Sequence, residues 1–344
     1  MQLVRDLTDL PASPPSHTGG VLCVGNFDGV HCGHVAMLTQ GRQLATAKGQ
    51  PFFIMTFDPH PTSILFPNRP LSAIMTPDQR LEALGQFAPD TIILVKTTPQ
   101  FLAMTALDFL TQIVRGRLGV THMVEGANFT FGQRAQGTAE TLRTQGPDLG
   151  IGCTLIDTQV QTLSDLTQVN VSSTLIRWLI AQGRVVDAGR CLGHPVTLRG
   201  QIVPGQRRGR TLGFPTANLH TSQLPPAPGV YAGHAKLAGQ RYQAAISVGA
   251  SVTFENTQGG ATVEAHLLDY PRPSSPPVSG VALELYGQTM DLGFDRWLRE
   301  MQRFGGPHQL RRQLQLDVAA TRSVSPLHEE IQKLQPETQL KDQP

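Results

Sequence analysis

Short apolar runs alternate with amphipathic stretches through the first half of the chain. Five runs bounded by Gly, Pro or Asp have the length and composition of buried β-strands. Between them lie stretches with helical spacing, one ended by Gly49 and another starting with Pro77. This alternation predicts a doubly wound parallel sheet whose ligands bind beyond the carboxyl ends of the strands. The strands are predicted at residues 21–24, 52–57, 91–95, 122–124 and 153–156, and the helices at 34–47, 77–87 and 106–118.

The second half of the chain has a different pattern, in which one strand-like run follows another. No helical stretch separates these runs between Leu192 and Phe294, which predicts an antiparallel sheet or a small barrel. Two terminal helices are predicted at residues 294–303 and 308–316, separated by a helix-breaking Gly-Gly-Pro run. The strands are predicted at residues 196–203, 230–237, 242–248, 262–268 and 281–292.

The change of pattern near residues 185–195 predicts two domains. We expect an α/β domain over residues 1–186, a β-barrel domain over residues 187–330, and a polar tail over residues 331–344 that frays. Residues 271–278 contain four prolines and two serines, and we expect them to form an extended surface loop.

The composition favours a small molecule as partner over nucleic acid or a membrane. The chain carries 28 Lys and Arg against 26 Asp and Glu, so it has no basic excess typical of nucleic-acid binding. It lacks the run of roughly 18 apolar residues that a membrane helix needs, and its N-terminal stretch has no apolar signal, so we expect a cytoplasmic protein. The widely spaced Cys23, Cys32, Cys153 and Cys191 are expected to be small apolar core residues.

The segment GNFDGVHCGH, residues 25–34, connects the first predicted strand to the first predicted helix. A turn of this kind presents backbone N–H groups and the positive end of a helix dipole, which together bind anions. His31 and His34 bracket Gly33, so both rings can face a phosphate while the glycine permits close approach. On spacing alone, two unrelated surface histidines explain the segment as well as a site for the triphosphate of ATP does.

The same segment matches the signature G-x-F-D-G-V-H-x-G-H at every fixed position. It therefore resembles the flavin branch of the nucleotidyltransferase superfamily. The resemblance implies a Rossmann-like domain that adenylylates FMN with ATP, and it implies a catalytic role for His31 and His34, which would stabilise charge on the phosphates. ATP-binding roles fall by the same resemblance on Gly25, Asn26, Phe27, Asp28 and Gly33.

Two further loops of this family follow the predicted strands. TFDPHP, residues 56–61, resembles the family's loop on the flavin side of the site, although Asp58 and His60 also fit an ordinary turn. EGANFTFG, residues 125–132, resembles a ligand-binding loop, and the resemblance assigns that role to its asparagine. The flavin-binding residues implied are Phe57, Pro59, His60 and Asn128.

VSSTLIR, residues 171–177, has the residue types of a helix start. Its hydroxyl groups can cap free N–H groups or hold phosphate oxygens, and the arginine adds a fixed charge. A simple N-cap explains the serines, whereas pairing with the two histidines predicts a two-sided triphosphate clamp. Many members of the family have a basic residue where Asn170 stands here. The predicted clamp residues are Ser172, Ser173, Thr174 and Arg177.

The β-rich half opens with GQRRGRTLGFPTANL, residues 205–219. Its arginines among glycines fit either a phosphate-binding loop or a solvated turn. GFPTAN resembles the riboflavin kinase signature, whose Thr and Asn reach the metal and the ATP phosphates. These roles fall on Thr216 and Asn218, with loop contacts to ATP from Gly209 and Arg210. Hydroxyl and amide oxygens suit Mg²⁺, which prefers hard oxygen donors.

VEAHLLDY, residues 263–270, resembles the riboflavin kinase strand that carries the proposed catalytic base, a role that falls on Glu264. On a strand, this residue shares a face with His266 and Leu268. Without the neighbouring motif, an exposed acid on an edge strand is the better explanation. The closing segment, residues 284–304, resembles the family's final strand and helix. It implies flavin contacts for Arg299 and Phe304, which also fit ordinary surface and core positions.

SVGASVTF, residues 247–254, departs from the family pattern at Ser247 and Val252. Together, the two motif sets resemble the bacterial bifunctional riboflavin kinase/FMN adenylyltransferase family, also called FAD synthetases. The resemblance implies that riboflavin and ATP give FMN in the second domain, and that FMN and ATP give FAD in the first. Two alternatives are a nucleotidyltransferase with another phosphorylated acceptor, and a flavin or nucleotide sensor without turnover.

Overall fold

A computed structural model describes residues 1–10, 19–68, 71–205, 212–249, 261–271 and 285–334. Residue contacts group the chain into two compact units. The first comprises Met1–Ser72, Pro77–Gln161 and Val169–Ser172, and the second comprises Ala73–Thr76, Thr162–Gln168 and Ser173–Pro344. The domain limits drawn from the sequence stay a prediction, because grouping by contact describes packing and does not identify separately folding domains.

The first unit contains a sheet of six parallel strands in the order β1-β4-β3-β2-β5-β8. The doubly wound sheet predicted from the sequence is therefore confirmed, with one added edge strand. The chain order reverses between β2 and β5, which makes this the switch point where such sheets bind ligands. The six strands are β1 Gln2–Val4, β2 Val21–Val24, β3 Phe52–Asp58, β4 Thr91–Lys96, β5 His122–Gly126 and β8 Gly152–Ile156. Four short strands are β6 Thr130–Phe131, β7 Gly137–Thr138, β9 Val160–Thr162 and β10 Gln168–Asn170.

The helices between these strands start and end close to the predicted positions. α1 ends at Gly49 in the left-handed conformation (φ 61°), which glycine adopts without strain. The helix predicted at residues 106–118 is α-helical only at its start and continues as a π-helix over Phe109–Arg117. The helices before residue 195 are α1 Cys32–Lys48, α2 Pro61–Leu65, α3 Pro77–Gly85, α4 Pro99–Leu102, α5 Ala106–Asp108, α6 Ala139–Gln145, α7 Ser173–Ala181 and α8 Val185–Leu192.

The second unit is built on a closed antiparallel barrel in the order β11-β12-β15-β14-β13-β16. Its interior is filled by large side chains such as Tyr231 and Phe294, whose rings meet edge to face at 5.3 Å. The barrel confirms the second of the two predicted architectures. Its strands are β11 Val196–Val203, β12 Ala217–His220, β13 Gly229–Leu237, β14 Gln240–Gly249, β15 Thr262–Leu267 and β16 Thr289–Arg299.

The helix predicted at residues 294–303 is wrong, because β16 continues through this segment to Arg299. β16 pairs with β11 through Phe294 and with β13 through Arg299, so both of its edges are hydrogen-bonded. This pairing outweighs the helical propensity of the sequence. Of the strand predicted at residues 281–292, residues 289–292 belong to β16, residues 285–288 precede it without being part of a strand, and residues 281–284 lie outside the described part of the chain.

Two helices follow β16. α9 spans Pro307–Ser323, and α10 spans Leu327–Leu334 with Ile331 buried. The frayed tail predicted from residue 331 is therefore wrong for its first four residues, because α10 buries an apolar side chain there. Residues 335–344 and most of the predicted loop at 271–278 lie outside the described residues.

The cysteines are only partly as predicted. Cys23 and Cys191 are buried, whereas Cys32 and Cys153 are half-buried, and all four are free thiols. Within the described ranges, no helix is both long enough and apolar enough to cross a membrane.

Candidate functional site

The two histidines of the first motif form a stacked pair at the start of α1. Their ring centroids are 3.6 Å apart and their planes differ by 16°. His31 is the N-cap of the helix, and its Nδ1 accepts the backbone N–H of His34 at 3.3 Å. Since Nδ1 accepts this bond, the proton of the neutral His31 ring lies on Nε2, which can donate to a ligand.

The loop before this pair has a constrained backbone. Phe27 and Val30 adopt positive φ angles of 50° and 40°, in the left-handed region that non-glycine residues rarely occupy. The Phe27 ring meets the edge of His34 at 5.2 Å. A Cβ at Gly33 would lie 3.2 Å from the His31 ring, so glycine at this position lets the ring lie against the helix start. Such strain is typical of functional loops.

Both histidines are neutral at pH 7. His31 is 8% exposed, and burial lowers its pKa to about 4. Burial, reinforced by the neighbouring charge of His31, also lowers the pKa of His34 well below its usual range. The pair therefore presents N–H donors and lone pairs, not two full positive charges, in this state of the protein.

Several buried polar atoms around this motif lack a hydrogen-bond partner. In the described residues, five buried side-chain atoms are unpaired, and all five belong to the first unit. Two of these residues follow β2 and β4, and a third lies near the end of β5. The other two lie in the first turn of α1 and on α3. Because most buried polar groups in proteins are paired, such a cluster marks a place where a polar ligand fits. The atoms are Asn26 Oδ1, His34 Nδ1, Arg80 Nε, Thr97 Oγ1 and Glu125 Oε2.

Glu125 is a member of this cluster that sequence reasoning placed in a motif but gave no role. It is fully buried on β5, and its Oε1 accepts the backbone N–H of Val24 at 2.9 Å. Burial raises the pKa of Glu125 well above its usual range. The signal in the sequence was an acid within the apolar run HMVEG, at the end of a predicted strand.

Arg80 is a second residue that sequence reasoning missed. It is 6% exposed on α3, and its guanidinium donates to backbone carbonyls of Asn26 and Phe57. These carbonyls belong to the first and second predicted site loops. Nothing in the sequence distinguishes this arginine from one on an exposed helix face.

The other predicted residues of the first motif set occupy loops and a helix start. His60 caps α2, with its Nδ1 accepting the N–H of Thr62 at 3.2 Å. Asn128 is exposed in the turn after β5. Helix α7 starts at Ser173, as predicted for VSSTLIR, and Arg177 lies one turn into it. The pairing of this helix start with the two histidines stays a prediction.

The second predicted site lies on the outer face of the barrel. Glu264 on β15 pairs in register with Asn218 on β12 and with Ser247 on β14. Directly opposite residues share a face of a sheet, so the three side chains form one row. The hydroxyl of Thr216 donates to Glu264 Oε2 at 3.1 Å. The structure therefore brings the predicted base together with both predicted phosphate and metal residues.

The GFPTAN segment is fixed by its neighbours. His266, two residues beyond Glu264 on the same face, bonds through Nδ1 to the carbonyl of Pro215 at 2.8 Å. Its ring also meets Phe214 edge to face at 5.4 Å. A Cβ at Gly205 would collide with the Asn218 side chain, so this position requires glycine for the amide to stay in place. Leu268 lies just beyond the end of β15.

The donor set on this face suits a hard cation. Thr216 directs its hydroxyl hydrogen toward Glu264, which leaves the lone pairs of the oxygen for another partner. Asn218 and Glu264 add amide and carboxylate oxygens, which Mg²⁺ prefers. Over the described part of the chain, no group of three or more His, Cys, Asp or Glu side chains could hold a metal.

Arg299 and Phe304 lie close together at the end of β16. The guanidinium carbon is 5.8 Å from the ring centroid of Phe304. Asp317 on α9 accepts two bonds from the guanidinium, at 2.8 and 2.7 Å, and a third goes to the carbonyl of Glu300. Three of its five N–H groups are thus used, and two of them join the last strand to α9. Gly209, Arg210 and Val252 lie outside the described residues.

The chain matches two family models in succession. Residues 13–175 match the FAD synthetase model, and residues 192–325 match the riboflavin kinase model. A solved structure from Streptococcus pneumoniae, described as a macrolide-efflux protein, is 28% identical with a TM-score of 0.79. The match covers 94% of this chain and 99% of that one.

Curated relatives match over most of their length. Proteins named bifunctional riboflavin kinase/FMN adenylyltransferase are 32% identical in Listeria monocytogenes and 31% identical in Bacillus subtilis. The first match covers 88% of this chain and 91% of the relative, and the second covers 86% and 90%. A relative from Pseudomonas fluorescens is 32% identical over 94% of this chain and 98% of its own length. The chain belongs to the family of bifunctional riboflavin kinase/FMN adenylyltransferases.

Proposed function

We propose that this protein phosphorylates riboflavin with ATP on the barrel and adenylylates the resulting FMN with a second ATP on the parallel-sheet unit. One observation carries the proposal: each unit of the same chain has its own complete set of candidate catalytic groups. The first unit has the stacked His31 and His34 at a helix N-terminus, and the second has Glu264 bonded to Thr216.

In the adenylyl transfer, a phosphate oxygen of FMN attacks the α-phosphorus of ATP in line. A new P–O bond forms, the bond to the bridging α–β oxygen breaks, and pyrophosphate leaves with the electron pair. The step needs alignment and charge stabilisation, and it does not need a protein nucleophile. The N-terminus of α1 supplies backbone N–H groups and the positive end of its dipole to the phosphates.

His31 and His34 would act on the α- and β-phosphates. The neutral His31 ring offers Nε2–H as a donor, because Nδ1 is used to cap α1. Triphosphate charge beside buried imidazoles raises their proton affinity, so binding can convert a neutral donor into a cation as negative charge accumulates. The buried, unpaired Nδ1 of His34 is a further atom that a phosphate or its proton can satisfy.

The remaining motif residues would surround the two substrates. Ser172, Ser173, Thr174 and Arg177 offer hydroxyl groups, the N–H groups of α7 and a fixed positive charge to the departing pyrophosphate. Phe57, Pro59, His60 and Asn128 would contact the flavin. Gly25, Asn26, Phe27, Asp28 and Gly33 would form the loop around ATP.

In the kinase step, the terminal ribityl hydroxyl of riboflavin attacks the γ-phosphorus of ATP. Glu264 would accept the hydroxyl proton as the new P–O bond forms and the β–γ bond breaks to release ADP. Its Oε2 accepts the Thr216 hydroxyl, which leaves Oε1 for the substrate. Arg299 and Phe304 would lie beside the flavin, with Arg299 held by Asp317.

Mg²⁺ is the metal that these residues fit, with Thr216 and Asn218 as its proposed holders. The ion, when bound, neutralises phosphate charge and so favours attack at phosphorus. Gly209 and Arg210 are proposed to contact the ATP phosphates. Because ATP is the donor in both steps, we expect the protein to work in the cytoplasm, without a nucleic-acid or membrane partner.

Incubation with riboflavin, ATP and Mg²⁺, followed by chromatography, tests the proposal. We expect FMN to appear first and FAD to follow, with ADP and pyrophosphate as the other products. Radiolabelled ATP offered with other phosphorylated acceptors tests the first alternative, since adenylylation of one of them in preference to FMN would favour it. Tight flavin binding with no product after prolonged incubation would favour a sensor.

A further inference from the structure

Arg80 is a buried cation that the motifs of this chain do not include. It lies on α3 with 6% of its surface exposed, on the same helix as the buried Gln79 and Leu84. Removing a guanidinium from water is costly unless its charge and its N–H groups find partners in the protein. The identity of those partners therefore indicates what the side chain does.

The partners are two backbone carbonyls, one in the loop after β2 and the other at the carboxyl end of β3. Nη1 of Arg80 donates to the carbonyl of Asn26 at 3.0 Å, and Nη2 donates to the carbonyl of Phe57 at 2.8 Å. Asn26 lies in the loop that leads to the stacked histidines. Phe57 precedes the Asp-Pro-His turn that ends in His60.

The hydrogen bonds from Arg80 begin where the backbone pairing between β2 and β3 ends. β2 and β3 pair in register as far as Val24 and Met55, and the N–H of Gly25 bonds to the carbonyl of Met55 at 3.0 Å. Beyond that point the chains diverge. The carbonyl of Asn26 then accepts hydrogen bonds from Arg80 and, at 3.2 Å, from the Thr56 hydroxyl. Side-chain hydrogen bonds therefore take the place of the backbone hydrogen bonds between the two strands.

Two acids act on the charge of Arg80. Burial lowers its pKa, while the charges of Asp28 and Asp58 oppose that change and favour the cation. One acid comes from each of the two loops, and Asp28 is itself 2% exposed. A guanidinium that donates to one backbone carbonyl from each segment is suited to joining the two segments, and its remaining Nε–H is buried without a partner.

We propose that Arg80 is a positioning residue of the adenylyl-transfer site: it joins the loop leading to His31 and His34 to the loop carrying Pro59 and His60. This rests on the proposed function of that site. Fixing the two loops sets the distance between the groups that hold the triphosphate and the groups on the flavin side. In-line attack depends on that distance, so Arg80 acts on the reaction without touching the reacting atoms.

The test compares R80M and R80K with the wild type in FMN adenylylation, with kcat and both KM values measured separately. R80M keeps the length of the side chain but removes every donor, and we expect kcat to fall about 10²-fold, the order that small misplacements cost. R80K can bond one carbonyl but not both, and we expect a loss of about tenfold in kcat. R42M is the matched control, because Arg42 is an exposed arginine of the same unit paired with Asp90, and it should stay within about twofold of the wild type.

The outcomes separate positioning from stability and from a failure of the proposed function. Absence of FAD formation by the wild type would refute the proposed function itself. If the wild type is active, R80M or R80K with unchanged kcat and KM overturns the role of Arg80, even if the variant melts at a lower temperature. If R80M does not fold, the kinetics of R80K test the proposal, because lysine keeps the positive charge and one hydrogen bond to a carbonyl. Wild-type kinetics from folded R80K would overturn the proposal.

Discussion

At the carboxyl edge of the parallel sheet, buried side-chain atoms of Asn26, His34 and Glu125 are unpaired, whereas on the barrel the hydroxyl of Thr216 already donates to Glu264. An unpaired buried polar group costs roughly 1–3 kcal/mol, which a ligand that supplies the missing partner recovers. The sheet site is therefore arranged before its substrates arrive. The barrel site has its groups in contact with each other, and Glu264 Oε1 and the lone pairs of the Thr216 hydroxyl are left for substrates.

The difference also follows the chemistry proposed for each unit. Adenylyl transfer needs oriented donors around phosphate, and a largely buried loop that leads into a helix N-terminus can provide them. Phosphorylation of an alcohol needs a carboxylate that the substrate hydroxyl can reach, and Glu264 is half-buried on an outer face. Variants that affect one unit and spare the other test this comparison.

The largest effect is expected for E264Q. Glutamine keeps the shape of the side chain but cannot take up the ribityl proton, and loss of a general base costs about 10²–10⁴-fold in kcat. Riboflavin phosphorylation should collapse, while adenylylation of supplied FMN continues. E329Q, which changes an exposed acid of the same unit, is the control. Phosphorylation by E264Q within a few-fold of the wild-type rate would show that Glu264 is not the base.

H31A should reduce FAD formation by about 10²-fold or more, the loss typical of one electrostatic stabiliser, and should leave FMN formation unchanged. Because His31 also caps α1, H31N is the informative partner variant: asparagine is a good N-cap but lacks the imidazole. We expect H31N to recover thermal stability without recovering activity. Recovery of both by H31N would mean that His31 serves the helix alone.

The loss should be smaller for G205A. A Cβ at this position displaces the Asn218 side chain, so the grip on the ATP phosphates and the metal weakens. We expect KM for ATP in riboflavin phosphorylation to rise about tenfold, which corresponds to about 1.4 kcal/mol. G306A is the control, since its Cβ meets nothing within 4 Å and its φ of 175° suits any residue. An unchanged KM in G205A would separate Asn218 from ATP binding.

The smallest effect is a change in how stability depends on pH in E125Q. Burial raises the folded-state pKa of Glu125 above its ordinary 4.5, so its contribution is complete below pH 4.5 and is lost as pH rises. Gln carries no such cost, and the Tm of E125Q relative to the wild type should increase from pH 5 to pH 9. E140Q should show no such change from pH 5 to pH 9, because a bond from Arg143 lowers the pKa of that exposed carboxylate, which is therefore ionised over the whole range. A pH-independent difference for E125Q would mean that Glu125 is ionised when folded.

Most of the fold could be predicted because apolar periodicity reports burial directly. β2 and β11 start and end at the predicted residues, and the switch from alternating elements to consecutive strands indicated two architectures. The exception is the segment around Phe294, whose helical spacing is real but whose pairing with β11 and β13 depends on residues far away in sequence. β12, four residues within a motif, was too short for its periodicity to be seen.

The residues of the candidate sites also fall into those that the sequence identified and those that it did not. Local signals identified His31 and His34, since a loop between a strand and a helix is visible in the sequence. The roles of Thr216 and Glu264 were implied by separate motifs, and the contact between the two side chains is brought about by the pairing of β12 with β15. Arg80 and Glu125 could not be identified as buried, because the burial of a charged side chain arises only when distant elements pack together.

The central claim is that one chain carries two separate sites that act in sequence. The most direct measurement supplies riboflavin and ATP to H31A, to E264Q and to an equimolar mixture of the two, with flavin products separated by chromatography. The account predicts that H31A accumulates FMN, that E264Q forms no product, and that the mixture forms FAD because FMN released by one variant is adenylylated by the other. Loss of both activities in each variant, with no FAD from the mixture, would contradict it.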